Sequence, residues 1–120
     1  MRSMTDTLNI IACLLTIAFG LFGFLAPRYT AAALDLAPTK TTMGLSEMRA
    51  SVGGLFVISG AAALLIAEPL AYVMIGIAFA GAATGRVLSL LLDTPPKAKV
   101  LLFGGIEAAL AAWLILANPL

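Results

Sequence analysis

The stretch Met43-Gly-Leu-Ser-Glu-Met-Arg-Ala-Ser-Val-Gly-Gly54 places an acid and a base, Glu47 and Arg49, at the start of a long apolar run. The run contains no further charge as far as Ala67, and it ends before Pro69. A helix needs about twenty apolar residues to cross the hydrocarbon core of a bilayer. The stretch therefore predicts a transmembrane helix that begins with a pair of opposite charges.

The composition indicates that water is not the main solvent of this protein. Of 120 residues, 62% are hydrophobic and 11% are charged, whereas soluble domains are about a quarter charged. A net charge of +1 gives no basic field for nucleic acid. The absence of His excludes His-dependent nucleophilic devices and His-ligated metal sites. We expect a protein that is not an enzyme, with no catalytic residue, cofactor or metal.

Four apolar runs divide the chain and predict its fold class. They cover residues of about 8–26, 45–67, 70–92 and 98–118. The short break between the second and third runs forces those two helices to run antiparallel. We therefore expect an all-α membrane protein, a single domain over residues 1–120 that forms an up-down-up-down bundle of four transmembrane helices. A short interfacial helix over residues 30–37 is expected in the first loop.

The first run has a second interpretation. Arg2 near its start and small residues at 31–33 also suit a secretory signal peptide. Three further apolar runs would hold the protein in the bilayer in either case, and we expect the first run to be a span.

The loop charges predict an orientation. Arg2 is the single basic residue on the face that would carry both termini, whereas Arg28, Lys40, Lys97 and Lys99 lie in the loops of the other face. Cytoplasmic loops are enriched in Lys and Arg. Both termini are therefore expected outside the cytoplasm.

Charged side chains inside the predicted spans are the candidate site. By the rise of an α-helix, Arg86 lies about 9 Å and Glu107 about 13 Å inside the same end of the bundle. Glu47 and Arg49 enter from that end as well, so the four residues are predicted to form one cluster. The cluster has two interpretations, either a network that fixes helix order or a polar pocket for a lipid headgroup, a quinone or a small polar ligand.

Small residues predict where helices approach closely. Gly81 and Gly85 form a GxxxG pattern in the third span, Gly53 and Gly54 lie in the second, and Gly104 lies in the fourth. Such residues mark helix contacts in membranes. Packing among the four helices and packing against a second copy or a partner protein both remain open.

The motif Gly44-Leu45-x-Glu47-x-Arg49-Ala50 followed by Gly53-Gly54, together with residues 85–93 and Glu107, resembles an uncharacterised bacterial family of small four-helix membrane proteins, classified only as a domain of unknown function. The similarity covers essentially the whole chain. It implies a location in the bacterial inner membrane, cytoplasmic or intracytoplasmic, and a compact bundle, and it implies no reaction.

Two functions follow as expectations. The first is an accessory or structural subunit of a larger respiratory or photosynthetic membrane complex, in contact with lipids and other membrane subunits. The second is a bundle that binds a lipid, a quinone or another small molecule through the predicted charge cluster.

Overall fold

The computed structural model describes residues 3–119, so Arg2, on which the predicted orientation partly depends, lies outside the described residues. Every regular element that the described part contains is helical, which confirms the all-α class. The elements are α1 (Met4–Leu25), α2 (Pro27–Ala33), α3 (Met43–Glu47), a π-helical segment (Met48–Gly54), α4 (Leu55–Ile66), α5 (Pro69–Leu92) and α6 (Lys97–Leu116).

Four helices are long and apolar enough to cross a membrane. The segments α3, π-helix and α4 run on as one helix, Met43–Ile66, which we call the second long helix. The other three are α1, α5 and α6, and the observed bounds lie within four residues of the predicted spans. In the second long helix, α5 and α6, only 17% of the residues in the apolar stretch are buried. Their apolar side chains therefore mostly face outward, as lipid contact requires and water does not favour.

Proline fixes two of the helix boundaries. Pro27 opens α2 after α1 has ended at Leu25, and Pro69 opens α5 after Glu68. A proline suits the first turn of a helix and disfavours helix in the residue before it. The short helix of the first loop therefore begins three residues before the predicted residue 30. It ends at Ala33 because Asp35 adopts a left-handed backbone, with φ of 60°, which closes the helix C-terminus.

The described chain divides into two compact units. Within the described residues, the C-terminal unit comprises residues 3–9 and 66–119, and the N-terminal unit comprises residues 10–65. Each unit contains two long antiparallel helices.

In the N-terminal unit, α1 and the second long helix meet through glycines. Gly60 faces Cys13 and Ile17, and Gly53 faces Gly23 and Phe24. The paired residue numbers rise on one helix as they fall on the other, so the helices run antiparallel. Cys13 is fully buried in this contact.

In the C-terminal unit, the four-residue turn 93–96 joins α5 to α6. Gly76 packs against Leu114 and Ile115, and Arg86 packs against Gly104. These pairs define an antiparallel hairpin, and its core includes Tyr72, which is 7% exposed.

Candidate functional site

The central predicted pair, Arg86 and Glu107, is present in the C-terminal unit. Arg86 Nε donates to Glu107 Oε1 at 3.0 Å, and Arg86 Nη2 donates to Glu107 Oε2 at 3.5 Å. The two side chains are 35% and 17% exposed, respectively. Two parallel bonds between a guanidinium and a carboxylate fix geometry as well as charge. Each charge is therefore neutralised by the other within a hairpin of two apolar helices, where a lone charge would be costly.

Two neighbours on α6 hold the Arg86 side chain in place. Gly104 leaves room for its stem, because a Cβ built at Gly104 would lie 3.3 Å from both Cβ and Cγ of Arg86. The guanidinium carbon lies 5.7 Å from the centroid of the Phe103 ring, within cation–π range. The predicted packing role of Gly104 thus consists of accommodating an arginine stem.

The hydrogen-bond partner of Arg49 is an uncharged backbone group. Arg49 Nη1 donates to the backbone carbonyl of Phe24 at 2.6 Å. That carbonyl belongs to the last turn of α1, and Pro27 interrupts the backbone donors that follow it. A cation at a helix C-terminus satisfies such carbonyls and opposes the negative end of the helix dipole. Arg49 is therefore a C-terminal cap for α1.

One helical turn beyond Arg49, Gly53 lies directly against the backbone of α1. A Cβ at Gly53 would lie 2.6 Å from the backbone nitrogen of Phe24 and 3.0 Å from the carbonyl carbon of Gly23. Backbone lies against backbone here, and no side chain has space to enter. By contrast, a Cβ at Gly54 would make ordinary contacts of 3.7 Å with the Phe24 ring.

The contact coincides with a π-helical segment, Met48–Gly54, within the second long helix. Short π-helical insertions are rare and frequently occur at functional sites. This one contains Arg49 and Gly53, so the wider turn is present where the helix both caps α1 and touches its backbone. The motif that begins at Met43 therefore encodes a helix junction.

Glu47 lies on another side of the same helix and is exposed. It lines a cavity of about 260 Å³ together with Ser51, whose hydroxyl donates to the Glu47 backbone carbonyl at 2.7 Å. The remaining lining residues come from α2, the following loop and the second long helix, and are mostly apolar. Glu47 is thus the one charged residue that lines this mostly apolar cavity in the described part of the chain.

The predicted four-residue cluster is divided between the two units. Arg86 and Glu107 pair in one unit, while Glu47 and Arg49 lie in the other. The assembly of all four residues in one layer stays a prediction.

The glycines of the predicted GxxxG pattern differ from the other predicted packing residues. Gly81 and Gly85 are exposed, and no described atom of their own unit lies within 4 Å of a Cβ built at either position. Gly76 lies on the same helix as Gly81 and Gly85 and was not predicted as a packing residue. It instead packs against Leu114 of α6.

A buried pair of side-chain amides, Asn9 and Asn118, was not predicted from the sequence. Asn9 and Asn118 donate to each other through their side-chain amides at 2.7 and 2.9 Å, and Asn118 also donates to the Leu114 carbonyl. The two residues are 1% and 5% exposed. An Asn near each end of the chain in apolar surroundings was the available signal, because buried amides need partners.

Chemically, the described residues offer ion pairing, amide pairing and one carboxylate beside a cavity. Within residues 3–119, no group of three or more His, Cys, Asp or Glu side chains is placed to hold a metal ion.

Comparison with known proteins gives a family and no function. No curated protein and no solved structure matches the chain. The model of the Domain of unknown function (DUF4345) matches residues 4–118, which include both long-helix pairs and every predicted site residue. The chain therefore belongs to the DUF4345 family.

Proposed function

We propose that this protein is an accessory or structural subunit, without catalysis of its own, of a larger membrane complex of respiratory or photosynthetic type. Its four long helices would cross the bacterial inner membrane as an up-down-up-down bundle. Support comes from the outward-facing apolar side chains, among which Leu65, Leu91 and Leu116 are 87%, 77% and 79% exposed. Lipid and neighbouring helices are the surroundings that suit such a surface.

The observation that carries the subunit proposal is the unused glycine face of α5. Successive residues of an α-helix are rotated by about 100°, so Gly81 and Gly85 lie about 140° and 180° around α5 from Gly76. Gly76 contacts α6, and the other two glycines therefore point away from α6. A GxxxG face of this kind permits close approach of another transmembrane helix.

Purification of the tagged full-length protein from its native membrane in a mild detergent tests the proposal. We expect a stoichiometric membrane-protein companion that is lost from the double variant Gly81→Leu/Gly85→Leu. The matched control is Gly105→Leu, because Gly105 also meets no described atom of its unit within 4 Å. Circular dichroism verifies that each variant is helical. A lone monomer from the native protein, or a companion retained by the folded double variant, would contradict the subunit role.

The proposed orientation places both termini outside the cytoplasm, as the loop charges favour. Fusions of alkaline phosphatase and of a fluorescent protein to the C-terminus report on it. We expect phosphatase activity and no fluorescence. The reverse pattern would place the C-terminus in the cytoplasm.

The cavity beside Glu47 favours a second candidate, the binding of a lipid, a quinone or another small molecule. At about 260 Å³ the cavity is near the lower limit of small-molecule sites. A single carboxylate among apolar residues would fix the orientation of a ligand that carries a donor. Mass spectrometry of the purified protein tests this function, because a bound quinone or lipid should disappear from Glu47→Gln and persist in Glu68→Gln. Retention by both variants would remove the cavity as its site.

A further inference from the structure

A second pocket of the N-terminal unit has the opposite charge. It is open, has a volume of about 620 Å³, and lies beside the junction of α1, α2 and the second long helix. Its lining residues are two arginines, two hydroxyl residues and two apolar residues, namely Arg28, Arg49, Thr42, Ser46, Leu45 and Ala50.

The positive charge of this pocket is not neutralised by the described part of the protein. No acidic residue is among the lining residues, and neither arginine forms an ion pair within residues 3–119. Arg49 uses one N–H group on the Phe24 carbonyl. A guanidinium has five N–H donors in a fixed fork, so Arg49 is held in position while further donors remain available. Arg28 adds a second guanidinium to the same pocket.

The depth of Arg49 places its guanidinium within reach of the headgroup layer. The 24 residues of the second long helix extend about 36 Å, roughly 6 Å more than a typical hydrocarbon core. Arg49 is six residues from the first residue of this helix, about 9 Å along its axis. If the excess is shared between the two ends, its Cα lies about 6 Å below the edge of the core. A long cationic side chain at this depth extends toward the headgroup layer.

We propose that Arg28 and Arg49 bind a phosphate group at the membrane surface, with the hydroxyls of Thr42 and Ser46 as additional donors. Two guanidinium forks suit the several oxygens of a phosphate, because such bonds are bidentate and charge-assisted. The phosphate belongs either to a phospholipid headgroup or to free phosphate in the adjoining water, and both sources present the same chemistry. This assignment does not depend on the proposed subunit role or on the Glu47 cavity.

Binding to the full-length protein, delipidated in a maltoside detergent that lacks phosphate, tests the assignment. The probes are short-chain phosphatidylglycerol and inorganic phosphate, and native mass spectrometry measures their occupancy. For Arg28→Gln we expect a dissociation constant about tenfold higher, the usual effect of losing a charge-assisted hydrogen bond. The matched control, Lys40→Gln, removes a loop cation that is not among the pocket-lining residues, and we expect unchanged binding.

The two probes distinguish the sources. Lipid binding that is sensitive to Arg28, with inorganic phosphate as a weak competitor, supports a headgroup site. Tight binding of inorganic phosphate with the same sensitivity supports the phosphate site and assigns it to the free anion. Equal binding of both probes by the native protein, Arg28→Gln and Lys40→Gln overturns the proposal. Arg28→Gln is the decisive variant, because it leaves the Arg49 cap of α1 in place, whereas Arg49→Gln removes the cap together with the site.

Discussion

Each of the two units contains its own pair of antiparallel long helices, and the two pairs are held together by different contacts. In the N-terminal unit, Gly53 brings two backbones into direct contact, and Arg49 caps the end of the neighbouring helix. In the C-terminal unit, Gly104 accommodates a side chain, and an ion pair links the helices. Both devices substitute for the hydrophobic effect, which is weak between helices in lipid. They differ in tolerance, because a side chain can adopt another rotamer while a backbone in a helix cannot move alone.

The largest expected effect comes from Gly53→Ala. The new methyl group would lie 2.6 Å from the Phe24 nitrogen and 2.7 Å from its Cα, so the two helices must separate. Overpacking of this kind costs about 3 kcal/mol of the free energy of unfolding. Titration with SDS in mixed micelles, followed by circular dichroism, measures the change.

Gly85→Ala is the matched control for Gly53→Ala. It makes the same substitution in a long helix, but its Cβ meets no described atom of its unit within 4 Å. The higher helix propensity of Ala then predicts an unchanged or slightly higher stability. Equal losses in both variants would show that glycine content, and not the α1 contact, determines the stability.

The next largest effect is expected for the ion pair. Glu107→Gln removes the negative charge and leaves Arg86 without its partner in a largely apolar hairpin. Because Arg86 is 35% exposed, we expect about 2 kcal/mol, less than the loss for a fully buried pair.

A double-mutant cycle with Arg86→Gln, Glu107→Gln and the combined variant isolates the interaction. The combined variant should lose less stability than the sum of the single losses. Additive losses would mean that the two side chains do not stabilise the hairpin through each other.

This pair was predictable from the sequence for a physical reason. A charge in hydrocarbon needs a partner, and the short turn after α5 sets the register that brings residue 86 opposite residue 107. The partner of Arg49 was not predictable in the same way, because it is a backbone carbonyl. The signal was Pro27, because a proline disfavours helix in the residue before it and so ends α1, which leaves the last carbonyls of α1 without their helical donors.

The four long helices followed from run length and from the prolines that interrupt the runs. The face used by each glycine did not follow. Gly81 and Gly85 have the spacing of a packing motif, yet Gly76 makes the contact with α6. A stripe of small residues permits the close approach of another helix. Which stripe makes a contact depends on the position of the neighbouring helix.

A smaller effect is expected for the pair Asn9 and Asn118, which within the C-terminal unit joins α1 to the residues that follow α6. Asn9→Leu removes two hydrogen bonds from the Asn118 amide and leaves its bond to the Leu114 carbonyl. Hydrogen bonds between helices in membranes contribute about 0.6 kcal/mol on average and up to about 1.7. Because both residues are almost fully buried, we expect a loss of about 1 kcal/mol in the same SDS titration. An equal loss from Asn118→Leu and a smaller additional loss in the double variant would identify the pair as the cause.

The smallest effect, and the sharpest test of the difference between the units, is expected for Gly104→Ala. Its Cβ would lie 3.3 Å from Cβ and Cγ of Arg86. Relief of these contacts needs a shift of only a few tenths of an ångström, less than the contacts of 2.6 and 2.7 Å at Gly53 need. The gain in helix propensity, at most about 1 kcal/mol, then offsets the crowding, so the stability should change little. In an Arg86→Ala background the contact with Cγ is absent and only the contact with Cβ remains, so the same substitution should become stabilising by about 0.5 kcal/mol in the SDS titration. A loss of several kcal/mol that persists in that background would mean that Gly104, like Gly53, is constrained by backbone, and the two units would then share one packing device.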